Sequence, residues 1–208
     1  MTRRRIGLIG DTHIPEAAPD LPTEAYEALA GCDQILHCGD LHTIDVVDWL
    51  ERLAPTVVSR GNGDTYGPRV RRPGVAEDPR VVDVFVADVD GFRIGLTHDL
   101  AHAEGRSDAD ASALISKRFD ERVDIAVYGH THVPLVWGLA DGTALVNPGS
   151  PTMPYGYLDL VGTVGFIDVD GARFDVTIRD LRTGADQLRL SGPGAHPLER
   201  GPRPTDGR

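Results

Sequence analysis

Five short, mostly apolar runs in this chain end in the same way, and that repeated ending most narrows what the chain can fold into. Residues 6–9 run into Gly10-Asp11-Thr12-His13, and residues 35–38 into Gly39-Asp40. Residues 57–60 run into Gly61-Asn62-Gly63-Asp64, residues 93–96 into Thr97-His98, and residues 125–128 into Gly129-His130-Thr131-His132. Each run has the length of a buried strand, and each ending supplies a metal-type ligand. In open α/β sheets, sites form outside the carboxyl ends of the strands. The five endings are therefore expected to converge on one rim.

Two secondary-structure signals overlap. Strand-like runs at 5–9, 34–37, 56–59 and 124–128 alternate with helical patterns at 23–29, 43–53 and 107–119, which predicts βαβ units and parallel pairing. In the second helix Thr43 is the expected N-cap, with Ile44, Val47 and Leu50 on one face. In the third, Ser107 is the cap, and Asp108 and Asp110 suit its positive end. Asp-Gly pairs at 90–91, 141–142 and 170–171 lie between β-rich runs, the strongest short-range hairpin signal. Those runs are 81–89 with 92–97, 135–139 with 143–146, and 164–169 with 174–181. Parallel and antiparallel strands together predict an α/β fold: a four-layer α/β/β/α sandwich of two mixed sheets with flanking helices. Residues 1–183 are expected to form that single domain. Residues 192–208 hold four glycines and four prolines, so 184–208 is expected to be a disordered tail. Residues 65–79, with Pro68, Pro73, Gly74 and Pro79, read as a long loop.

Composition closes off several classes. Asp and Glu number 32 against 21 Lys and Arg in 208 residues, a formal charge of −11. Such a surface argues against broad nucleic-acid binding, which needs a positive face. It leaves room for a small phosphate-bearing substrate, because bound cations reverse the field inside a cleft. No apolar run approaches the ~18 residues of a membrane span, and the stretch at 6–9 is too short for a signal-peptide core. Cys32 and Cys38 are the only cysteines, so a reducing cytoplasm is the expected compartment. Oligomeric state is open, and exposed hairpin edges leave room for a homo-oligomer.

The candidate ligands are Asp11, His13, Asp40, Asn62, His98, His130 and His132. Four imidazoles, two carboxylates and an amide oxygen exceed what one tetrahedral zinc takes. They suit two divalent cations ~3.5–4 Å apart, sharing a carboxylate and a hydroxide. Three negative charges against four positive leave a surplus that attracts an anionic substrate. Mixed N/O ligation accommodates manganese, the first expectation, and also iron, zinc, nickel or cobalt.

Nearby residues have two readings each. His42 and His102 stand close to ligand loops and either assist proton transfer or are surface histidines. His37, inside a strand, reads as a core residue. Asp64 either orients a ligand imidazole or caps the turn next to it. Arg69, Arg71 and Arg72 are either phosphate contacts or a solvated loop. Asn147-Pro148-Gly149-Ser150 reads as a tight turn shaping the rim, and Trp49 and Trp137 as core or interface aromatics.

Taken together, Gly10-Asp11-Thr12-His13, Gly39-Asp40, Gly61-Asn62-Gly63-Asp64, His98, Gly129-His130-Thr131-His132 and Asn147-Pro148-Gly149-Ser150 resemble the calcineurin-like metallophosphoesterases. Within that family the chain looks like the small bacterial and archaeal phosphodiesterases of the YfcE type. The resemblance implies the same two-sheet sandwich. It implies that Asp11, His13 and His132 hold one cation, that Asn62, His98 and His130 hold the other, and that Asp40 bridges them. The catalytic assignment falls on Asp40, Asn62 and His98. Two positions depart from the family pattern. Gly63 stands where many members carry a histidine, which favours substrates with good leaving groups or activity that rests on the metals alone. Asp99 stands where glycine is usual, and its carboxylate either binds a water, raises metal affinity or repels an anion. The expected activity is a metal-dependent phosphodiesterase, with a bridging hydroxide attacking phosphorus in a small phosphate ester. The alternatives are a phosphomonoesterase, a nuclease, or a non-catalytic scaffold like the retromer coat subunit that shares the fold.

Overall fold

The structure is a computed structural model that describes residues 3–65, 75, 77–158, 160–194 and 196–203. In chain order it comprises β1 (Arg4–Ile9), α1 (Thr23–Leu29), β2 (Gln34–His37), α2 (Asp45–Glu51), β3 (Thr56–Ser59), β4 (Val81–Val82), β5 (Val84–Val89) and β6 (Phe92–Thr97). The second half comprises α3 (Asp108–Phe119), β7 (Ile125–Val127), β8 (Leu135–Gly138), β9 (Ala144–Asn147), β10 (Thr163–Asp170), β11 (Arg173–Asp180), β12 (Asp186–Gly192) and β13 (His196–Arg200).

Two mixed sheets result. One runs β12-β11-β10-β1-β2-β3-β4 and the other β13-β8-β9-β7-β6-β5. In the first sheet β1 pairs parallel with β2, β2 with β3 and β3 with β4, while β10 to β12 add antiparallel strands on the other side of β1. In the second, β6, β7 and β9 are parallel, and β5 and β8 pair antiparallel at their flanks. Asp90-Gly91 and Asp141-Gly142 lie in the hairpin loops of β5–β6 and β8–β9, and at the third pair Asp170 ends β10 and Gly171-Ala172 makes the turn into β11. At the first of them Asp90 (φ 51°) and Gly91 (φ 92°) are both left-handed, the geometry that matches strand twist.

Three apolar clusters define four layers. Ile6, Leu8 and Leu36 from the first sheet meet Ile94, Leu96, Ile125 and Val127 from the second between the sheets. On its outer face the first sheet offers Ile9, Ile35 and Val58 to Ala25 and Leu29 of α1 and Val46, Val47 and Leu50 of α2. The second sheet offers Ala126, Trp137 and Leu145 to Ala111, Ile115 and Phe119 of α3. Leu8 and Ile9 facing opposite cores is the two-residue alternation of a strand buried on both faces. This is the α/β/β/α sandwich that the sequence pattern predicts. Ser107 caps α3 as expected, accepting from the Asp110 backbone N–H.

Three expectations need correction. The predicted helix at 43–53 spans only Asp45–Glu51. Leu41 and His42, just ahead of it, donate their backbone N–H groups to the Asp64 carboxylate, which fixes the loop that leads into the helix. His42 is also left-handed (φ 72°). The buried face is Val46, Val47 and Leu50. The single β-rich run at 81–89 is divided: β4 pairs with β3 in the first sheet, β5 with β6 in the second, and the chain changes sheet at Asp83. Most consequentially, two strands form within the stretch 184–208 that is expected to be a disordered tail. Asp186–Gly192 pairs antiparallel with β11 and buries Leu188 and Leu190 between the sheets. His196–Arg200 pairs antiparallel with β8. Alternating Leu188 and Leu190 on one strand face outweigh the proline and glycine content of residues 192–208.

Candidate metal centre

The ends of β1, β2, β3, β6 and β7 meet on one rim, as parallel strands in paired sheets require. Asp11 and His13 come after β1, Asp40 after β2, Asn62 after β3, His98 after β6, and His130 and His132 after β7. The side chains sort into two groups. His13 Nε2 lies 3.2 Å from His132 Nε2, and His132 Nε2 lies 3.8 Å from Asp11 Oδ1. On the other side, Asn62 Oδ1 lies 3.0 Å from both His98 Nε2 and His130 Nδ1, and those two nitrogens are 3.3 Å apart. Asp40 sits between the groups. Its Oδ2 is 3.5 Å from His13 Nε2, and its Oδ1 is 3.6 Å from His98 Nε2.

These spacings fit metal coordination. Donors at ~2.1 Å from a cation in tetrahedral geometry stand roughly 3.4 Å from one another, close to the separations above. Charge gives the same answer. Asp11 is fully buried and Asp40 nearly so. Among the described residues, histidines are the only basic side chains paired with either carboxylate. Burial first, and then the charge of Asp40, push the Asp11 carboxyl well above its usual range. Such a pair is stable as anions only with a cation beside it.

The surrounding residues fix which nitrogen each ring presents. His98 Nδ1–H donates to the Cys38 carbonyl at 2.7 Å, and His132 Nδ1–H donates to the Met153 carbonyl at 2.9 Å. Both rings thereby turn an Nε2 lone pair toward the centre. Both Asp11 oxygens also accept from the His130 backbone N–H at 3.0 Å, tying the first strand end to the fifth. Burial draws the His132 ring below its ordinary pKa, which keeps its lone pair available.

The backbone is strained where the ligands stand. Asp11 (φ 52°), His13 (φ 45°), Asp40 (φ 55°), His130 (φ 70°) and His132 (φ 58°) are all left-handed, as is His42. Such conformations cost about 1–3 kcal/mol each in non-glycine residues and persist where the surroundings over-determine them. Two glycines make the crowding feasible. A Cβ on Gly61 would come within 2.0 Å of Asp40 Oδ1, and one on Gly39 (φ 96°) within 2.4 Å of the Ser59 carbonyl.

The remaining candidates separate. Asp64 does not touch an imidazole. Its Oδ1 accepts from Leu41 and His42 and its Oδ2 from Gly61, so it joins the loops after β2 and β3. Burial raises its pKa to about 6. His42 is not a surface histidine: its ring packs edge-on to His13, centroids 4.2 Å apart, and its Nδ1–H donates to Glu16 at 3.0 Å. Asp99 is exposed and accepts from the Ala101 N–H at 2.8 Å, closing the bend that leads into the turn Ala101–Ala103. His102 is exposed. Arg69, Arg71 and Arg72 lie outside the described residues. His37 is a core residue: its Nδ1 accepts from Gly39 N–H at 3.0 Å and its Nε2–H donates to Thr12 Oγ1 at 3.2 Å. Burial lowers its pKa to about 3. Cys32 and Cys38 are buried free thiols, and Cys38 serves through its carbonyl. Trp137 is core and Trp49 packs at a core margin.

Sequence reading underestimated the segment after β9. Asn147 Nδ2 donates to the Gly129 carbonyl and to Thr131 Oγ1, bracing the loop that carries His130 and His132. Ser150 Oγ donates to the Asp11 carbonyl at 2.7 Å and accepts from Met153 N–H at 2.8 Å. Thr152 Oγ1 donates to the Thr12 carbonyl. The Asn-Pro-Gly-Ser turn was the available signal, and its hydrogen-bonding reach was not.

A fold of two packed mixed sheets with a polynuclear-type ligand set on the strand-end rim defines a metal-dependent hydrolase class. The calcineurin-like phosphoesterase superfamily domain matches residues 5–171, and the chain belongs to that family. It is 36% identical over 185 residues to a probable metallophosphoesterase of Methanothermobacter thermautotrophicus, covering 88% of this chain and 95% of that one. Among solved structures, vacuolar protein sorting 29 from Cryptosporidium parvum superposes with a TM-score of 0.71 at 23% identity, over 94% of this chain and 100% of that one. Wild-type Vps29 from Entamoeba histolytica, complexed with zinc, superposes with a TM-score of 0.66 at 24% identity, over 90% and 98%. These two likenesses establish the fold. Among the described residues no helix is long and apolar enough to cross a membrane.

Proposed function

We propose that this protein is a phosphodiesterase that hydrolyses a small phosphate ester with two divalent cations, manganese foremost. The observation that carries the reading is Asp40, with one oxygen facing His13 and the other facing His98. Asp11, His13 and His132 would hold one cation, and Asn62, His98 and His130 the other. When bound, such a pair supplies a water activated near neutral pH and draws charge from the phosphoryl oxygens.

The chain's own residues do the positioning. The carbonyls of Cys38 and Met153 keep His98 and His132 in the tautomers that ligate. Asp64 holds the Asp40 and Asn62 loops in register. Half-buried His13 and His132 and exposed His130 leave the rim open to a substrate. Among the described residues no Lys or Arg joins the ligand set, which suits a diester with one phosphoryl charge better than a monoester dianion. The net charge of −11 disfavours a nucleic-acid substrate.

The test is turnover of bis-p-nitrophenyl phosphate against p-nitrophenyl phosphate with Mn2+. Faster diester hydrolysis supports the reading, and a large monoester preference removes the diesterase assignment. The likeness to vacuolar sorting proteins favours a second reading, a non-catalytic scaffold. Fewer than two bound cations per chain after reconstitution would select it.

A further inference from the structure

The two expected ligand triads leave one imidazole at the rim without a part in them. His42 offers a ligand atom that, with one each from His13 and Asp40, forms a set lying mutually within 4.8 Å. Its ring stands edge-on to that of His13, and its side chain is only 10% exposed. Three independent observations give it the character of a ligand. Its Nδ1–H is taken by the Glu16 carboxylate, which leaves the lone pair on Nε2, the carboxylate–histidine arrangement that orients metal ligands. Its backbone is left-handed (φ 72°), a strain it shares with Asp11, His13, Asp40, His130 and His132 on the same rim. And the chain keeps space for it: a Cβ on Gly63 would lie 2.4 Å from His42 Nε2 and 3.1 Å from Asp40 Oδ1.

We propose that His42, oriented by Glu16, is an additional ligand to the cation bound by Asp11, His13, Asp40 and His132. The proposal rests on the two-cation reading above. It makes the two positions unequal, one with an extra nitrogen donor and therefore the tighter for a borderline metal that prefers imidazole. Gly63 becomes a positioning residue, since any side chain there displaces the His42 ring.

The experiment uses the full chain and Co2+ as the probe, read by equilibrium binding and by visible absorption, which responds to coordination number. His42→Ala is expected to weaken one of the two cations at least about tenfold while the other holds, with the absorption moving toward a lower coordination number. Glu16 is more than half exposed, so Glu16→Gln leaves the fold intact; it should shift both readouts in the same direction by less. If the native chain and both variants bind two Co2+ with equal affinity and superimposable spectra, the proposal is overturned. Failure of the native chain to bind two cations would instead overturn the reading it rests on.

Discussion

Ser150 is separated from Asp11 by most of the chain, yet its hydroxyl joins the Asp11 carbonyl to the Met153 N–H, and the Met153 carbonyl fixes the His132 ring. One hydroxyl thus bears on two candidate ligands. Replacing it with alanine strands buried backbone groups at a cost of about 1–3 kcal/mol. Ser150→Ala is therefore expected to lower the unfolding free energy by that amount and to weaken cation binding by about 10–100-fold. Denaturant melts and metal titration check the two effects; a variant with native metal affinity would contradict the linkage. His37 makes a pH prediction. Its folded pKa of about 3 lies below the ordinary value of 6.5 because burial penalises the charged ring. The unfolded chain takes up this proton as pH falls below 6.5 while the folded chain resists until about 3. The stability His37 contributes is present above the ordinary histidine pKa and drains away as pH falls through that window. Ring resonances of His37 should show no titration between about pH 7 and 4, and a midpoint near the ordinary histidine value would contradict its placement. The seven candidate ligands could be picked out in sequence because each comes after a strand with its own residue type. The carbonyls of Cys38 and Met153 were not, since every residue carries a carbonyl and only the fold says which one faces a ring.

At the scale of elements, the strands and helices that face the site were readable from apolar periodicity and Asp-Gly turns. What escaped were places where tertiary contacts override local pattern. Asp64 fixes the loop ahead of α2 through the Leu41 and His42 N–H groups, and Asp83 marks a change of sheet inside one continuous β-rich run. The proline and glycine content of residues 192–208 hides β12 and β13, and the alternation at Leu188 and Leu190 comes just before it. Both leucines lie in the cluster between the sheets. Leu188→Ala is expected to destabilise the protein by about 2–5 kcal/mol, the range for a large-to-small change in a packed core. A thermal or denaturant melt measures it. A cost below about 0.5 kcal/mol, typical of an exposed site, would show that β12 is not part of the core.

At the scale of the whole molecule, four layers bring strand ends from both sheets to one edge, and the centre straddles the seam between them. Asp11, Asp40 and Asn62 come from the first sheet, and His98, His130 and His132 from the second. Cation binding should therefore clamp the sheets together. Anything that binds only the folded state raises its stability by mass action, about 2.7 kcal/mol at a hundredfold excess over the dissociation constant. Added Mn2+ is expected to raise the melting temperature, and a chelator to reverse the rise. The most direct test of a paired-cation centre is the number of Mn2+ ions held per chain at equilibrium by the native protein and by Asp40→Ala. Two are expected for the native protein, and for the variant a loss of binding at both positions together with turnover. A native stoichiometry of one or none, or an Asp40→Ala protein that keeps both ions, would contradict it.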